Sequence, residues 1–202
     1  MEKFIYVLRF LMEVIRGAEM TYFTSRDIAS IALLAATWGI LNSTFAPIFF
    51  RMTGLPLLCD LVGFSVLALT VWWTRKLGAV SAVGAIATVI NFTLNPGGVH
   101  FLGFTAASII FDAMAYCIGY KRSFRSKLIM TISILAVSII SAAFAGFIIG
   151  SFFMAPQALT RWGGVLGWAG LHAIGGFIGG TVGVIIIAAL TARGIHKAEE
   201  VM

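Results

Sequence analysis

Few side chains in this sequence can do chemistry, and those that can are set into long apolar runs. The densest group lies between Asn91 and Asp112. Asn91 falls one helical turn before Asn95, and Asn95-Pro96-Gly97-Gly98 reads as a tight hairpin turn. His100 opens the next apolar run, and Thr105, Ser108 and Asp112 follow as a stripe at spacings of three and four. A charged group near the centre of a membrane helix costs about 2.5 to 3.5 kcal/mol on insertion scales, so acids at such positions are functional by default. Asp60 and Asp112, with Trp38, Phe101 and Tyr116 at compatible depths, could hold a flat cationic ligand through carboxylate attraction and ring stacking. Trp168 and His172 sit one turn apart in the last run, where the imidazole could meet a ligand oxygen or ring nitrogen beside a stacking wall. Each reading has a plainer rival: an aspartate that caps a helix or bonds a neighbouring Asn or Ser, and a histidine that bonds only to the next helix.

Other chemistry finds no support. His100 and Asp112 are twelve residues apart, hence about 120° apart around a helix and ~18 Å along it, so they cannot share a metal ion. The chain has no G-x-S-x-G, H-E-x-x-H or Walker A motif. No metal, cofactor or catalytic residue is expected. A binding protein without an engine must draw on an ion gradient or a partner ATPase.

Long helices have to position these groups. The chain has 202 residues, 60% hydrophobic and 11% charged, with a mean hydropathy of +1.01. That composition describes an all-α membrane protein. A span needs about 20 apolar residues, and six segments approach or exceed that length: Ile28–Phe45, Leu55–Trp73, Leu77–Leu94, Val99–Tyr120, Leu128–Met154 and Gly164–Thr191. With both termini cytoplasmic, twelve of the fourteen Lys and Arg residues fall inside and only Arg51 and Arg161 outside. The net charge of +6 then reflects topology in a cell membrane rather than nucleic-acid binding. Before the spans, Phe4, Val7, Leu8, Leu11 and Ile15 face one way and Glu2, Tyr6, Arg9, Glu13 and Arg16 the other. This predicts an amphipathic interfacial helix within residues 1–23, ahead of a transmembrane unit at 24–193 and a cytoplasmic tail at 194–202. On this topology Asn42, Asp60, Asn91, Asn95 and His100 lie in the outer half, with Asp112 and His172 near mid-depth. The pattern implies an outward cavity closed below.

Two further features bear on function. The first span carries Ala29, Ala32 and Ala36, the last two spaced for close helix approach, and the sixth carries Gly175, Gly176, Gly179, Gly180 and Gly183. The connection Ala46–Gly54, with apolar Phe49, Phe50 and Met52 beside Arg51, reads as a lid over the cavity or as an anchor in the headgroup layer.

Six spans, the alanine face, the apolar connection and the outward cavity together resemble the substrate-binding S components of energy-coupling factor (ECF) transporters. The closest likeness is to the hydroxymethylpyrimidine/thiamine type. The residues that carry it are Gly54-Leu55-Pro56, Arg75-Lys76-Leu77-Gly78-Ala79, Asn95-Pro96-Gly97-Gly98 and Asp112, where those proteins carry glutamate. The resemblance covers residues 46–122. It implies capture from outside of a vitamin or precursor, thiamine or hydroxymethylpyrimidine. Asp60, Asn91, His100, Asp112, Trp168, His172 and Trp38 would form the site. Ala29, Ala32 and Ala36 would dock a transmembrane coupling protein that works with two cytoplasmic ATPases, and Phe49, Phe50 and Arg51 would gate. A stand-alone proton-coupled carrier and a membrane scaffold protein remain the alternatives.

Overall fold

A computed structural model describes residues 22–195. Within them the chain is all-helical: α1 (Ser25–Thr53), α2 (Leu57–Thr74), α3 (Ala79–Leu94), α4 (Phe101–Ile118), α5 (Tyr120–Ser123), α6 (Lys127–Phe152), α7 (Pro156–Thr160) and α8 (Gly164–Ala192). Five of these, α1, α2, α4, α6 and α8, are long and apolar enough to cross a bilayer, and α3 is a shorter apolar helix of 16 residues. The expected interfacial helix at 1–23 lies outside the described residues except for Tyr22 and Phe23, which are not helical.

Local signals set the helix ends. Thr24 caps α1 in a reciprocal box: its hydroxyl accepts from the Asp27 amide at 3.2 Å, and its own amide donates to Asp27 Oδ2 at 3.0 Å. Asp27 also pairs with Lys76 at 2.8 Å, which ties the start of α1 to the α2–α3 turn. The far end of α1 differs from expectation. The stretch 46–54 is not a loop, because the helix runs through Pro47 to Thr53 and stops at Gly54, whose φ of 71° only glycine adopts freely. Proline removes one helical hydrogen bond, a loss that membrane helices tolerate when neighbouring groups compensate. Phe49, Phe50 and Arg51 are therefore the last turns of a helix.

The long helices close into a ring in which α1 packs on α3, α3 on α4, α4 on α6, α6 on α8, α8 on α2, and α2 back on α1. Helix α2 is the most buried of the five long helices. It also touches α3, α4 and α6 across the ring. The glycines of α8 split over two faces. Gly175, Gly179 and Gly183 meet Asp60, Phe64 and Ala68 of α2, while Gly176 and Gly180 meet Ala142 and Ser138 of α6. Helix α8 is thus wedged between two neighbours at backbone distance, the close approach that small residues permit in membrane interfaces.

Gly176→Val pushes a branched side chain into Ala142 and the Ser138 carbonyl, and should destabilise the protein by roughly 1 to 3 kcal/mol. Gly170→Ala, on the same helix but with nothing within 4 Å of the added carbon, should leave the melting temperature unchanged or slightly raised in the same detergent.

Candidate functional site

Two buried ionisable groups meet between α2 and α8. Asp60 stands in the first turn of α2 and His172 in α8, both 1% exposed or less, with His172 Nδ1 2.9 Å from Asp60 Oδ1. With the carboxyl ionised it accepts, and Nδ1 carries the proton of the bond. The other ring nitrogen, Nε2, has no protein partner; it accepts when the ring is neutral and donates when the ring is protonated. Two glycines make the arrangement possible. A side-chain carbon at Gly175 would collide with the Asp60 carboxylate, and one at Gly146 of α6 would come within 2.8 Å of the His172 ring.

His172 opens onto a cavity of about 190 Å³, whereas one buried water needs roughly 10 to 15 Å³. The space is large enough for a small ring compound or for several waters. Phe104 and Trp168 stand edge-on to His172, at centroid distances of 5.7 and 5.5 Å, and Phe50 of α1 closes over Trp168 at 6.2 Å. Asn42 of α1 and Asn91 of α3 supply amides, and His100 with Asn95 comes from the α3–α4 hairpin. Arg51, Pro56 and Met154 complete the mouth. Several lining atoms are buried with no conventional hydrogen-bond partner: both amide atoms of Asn42, beside the Cys59 thiol, with Asn91 Nδ2, Trp168 Nε1 and His172 Nε2. Orphan polar atoms at this depth are costly, about 1 to 3 kcal/mol each, unless something else satisfies them. Burial holds the His100 imidazole below its ordinary pKa, and the nearness of His172 pushes it the same way.

Of the residues expected at the site, Asp60, Asn91, His100, Trp168 and His172 converge here, although Asp60 acts through His172 rather than on the cavity wall. Trp38 and Asp112 do not line it. Trp38 is fully buried one turn from Asn42, packed on Gly63, Phe101 and Phe104, and so supports the wall from behind. Asp112 is a correction. It lies toward the opposite end of the bundle, where Oδ2 accepts from the Gly78 and Ser81 amides at 2.8 and 3.0 Å and from the Ser81 hydroxyl at 2.9 Å. It caps the free amides at the start of α3. Elsewhere on its stripe, the Thr105 and Thr88 hydroxyls bond each other at 2.6 Å across α4 and α3, whereas Ser108 donates within α4 to the Thr105 carbonyl. Tyr116 points outward, 57% exposed. Asn42 and Phe104 were not singled out as binding residues, though an asparagine spaced one turn from Trp38 and Ala46 in an apolar run was a usable signal.

Compared with family profiles, curated proteins and solved structures, the chain matches none. The chemistry of the site therefore rests on its own residues.

Removing the Asp112 carboxylate should act on stability alone. Asp112→Ala is expected to lower unfolding free energy by about 1 to 3 kcal/mol, the usual range for a lost cap with buried donors. The affinity of any ligand bound at the cavity should stay within twofold of the parent chain's when both are titrated well below their melting points.

Proposed function

We propose that this chain captures a small vitamin or vitamin precursor and serves as the S component of an ATP-driven ECF transporter. The observation that carries the reading is the cavity itself: a room for one small ring, walled by aromatics and lined by unpartnered polar atoms at one end of a helical bundle. Charge placement supports its orientation. Of the described Lys and Arg residues, only Arg51 and Arg161 belong to the cavity end, and the other eight cluster near the opposite end. Under the positive-inside rule the cavity faces out, α3 counts as a sixth, short span, and both termini are cytoplasmic.

The resemblance along residues 46–122 supports the transport role. Ala29 and Ala32 are exposed on α1 and Ala36 is half-buried, so this face is open to a transmembrane coupling protein, with ATP hydrolysis left to two cytoplasmic ATPases. The final turns of α1, with Phe50 against Trp168, take the gating role first assigned to a loop. Thiamine and hydroxymethylpyrimidine enter the list of ligands through the motif resemblance alone. With Asp112 placed elsewhere, acidic and neutral vitamins belong on the same panel.

The test is thermal unfolding of the detergent-purified chain against such a panel. A ligand at 100 times its dissociation constant adds about 2.7 kcal/mol of stability, and His172→Ala should remove most of that shift. A panel that leaves the melt unmoved overturns the capture function. Uptake into vesicles by this chain alone, abolished by a protonophore, would replace it with proton-coupled transport through the Asp60–His172 pair.

A further inference from the structure

The charges around the cavity indicate what kind of ligand it takes. Three carboxylates occur among the described residues, and each is already engaged. Asp27 pairs with Lys76 and Asp112 caps α3, both at the far end of the bundle. Asp60 is held by His172 and does not line the cavity. A ligand cation would find no free carboxylate there. The opposite charge is present. Arg51, in the last turn of α1, lines the mouth, and none of the described carboxylates forms an ion pair with it. Arg51 is itself exposed, and the helix dipole favours a cation at that end. Arg161 stands beside the same helix end, near Gly54, with its guanidinium 5.1 Å from the Trp162 ring.

The wall also carries buried donors without a partner: Trp168 Nε1 can only donate, and Asn91 Nδ2 is a donor as well. Resting on the capture function above, we propose that the ligand is a small flat heteroaromatic compound bearing an acidic group, carboxylate or phosphate. Its ring lies against Trp168 and Phe104, and the acid meets Arg51. A guanidinium suits either anion, since its forked donors match two oxygens at once.

Matched probes test this on the whole chain: pyridine-3-carboxylate against pyridine-3-carboxamide, and hydroxymethylpyrimidine phosphate against hydroxymethylpyrimidine. Affinities are measured for the parent chain, Arg51→Gln and Arg51→Lys, in detergent and in phosphatidylcholine nanodiscs with and without phosphatidylglycerol. The expected result is that at least one acidic member binds about tenfold or more tighter than its neutral twin. The gap should close in Arg51→Gln, persist in part in Arg51→Lys, and shrink with salt in the parent chain. Neutral twins that bind as well as the acids, or a preference that survives Arg51→Gln, overturn the acidic-ligand assignment while leaving capture intact. Should Arg51→Gln fail to fold, a parent-chain preference indifferent to ionic strength overturns it equally. If neither these probes nor the vitamin panel binds, capture fails and this assignment with it. If phosphatidylglycerol alone stabilises the parent chain over Arg51→Gln and erases the preference, the anion at Arg51 is a lipid headgroup, and the ligand assignment is again overturned.

Discussion

A carboxylate and an imidazole shut inside an apolar bundle set the terms for everything around them. Asp60 and His172 are buried against each other, and removing one partner from such a pair costs about 3 to 5 kcal/mol. The pair forms only because Gly175 clears room for the carboxylate and Gly146 for the ring. It also fixes which imidazole nitrogen is left for a ligand. The site's hydrogen-bonding character and the packing of α8 between α2 and α6 are therefore one constraint seen from two sides.

The far end of the bundle is built on a different economy of charge. There the carboxylates of Asp27 and Asp112 face backbone amides and a lysine, and they anchor the starts of α1 and α3. Thr88 and Thr105 join α3 to α4 between the two ends. Unsatisfied buried polar atoms occur on the cavity wall, at Asn42, Asn91, Trp168 and His172, and also away from it, at Ser138, Ser141, Tyr120 and Asp112 Oδ1.

Helices and their approximate limits were legible because apolar runs and Gly or Pro stops act locally. The α8 glycines announced close packing, and Trp168 with His172 announced one wall. Two readings failed for physical reasons that a linear pattern does not carry. The stretch 46–54 read as a connection between spans, yet α1 runs through Pro47 and ends only where Gly54 supplies the left-handed turn that stops it. Asp112 looked like a ligand-binding acid by depth and spacing, but its partners, Gly78 and Ser81, lie more than thirty residues away in sequence, and only the folded register of α3 against α4 brings them together. The pairing of Asp60 with His172 was hidden by the same kind of long-range contact.

Helix α1 contributes more of the cavity wall than any other element, from Asn42 through Pro47 to Arg51. It is also the long helix with the smallest buried share, 28% of its most apolar window against 67% for α2. Opening motions draw on the least stabilised parts of a structure. On the capture function proposed above, exchange of a ligand should be timed by the outer turns of α1 swinging from the ring, while α2, α6 and α8 hold His172 in place. Substitutions on the α1–α3 contact would then alter how long a ligand stays without changing what it touches.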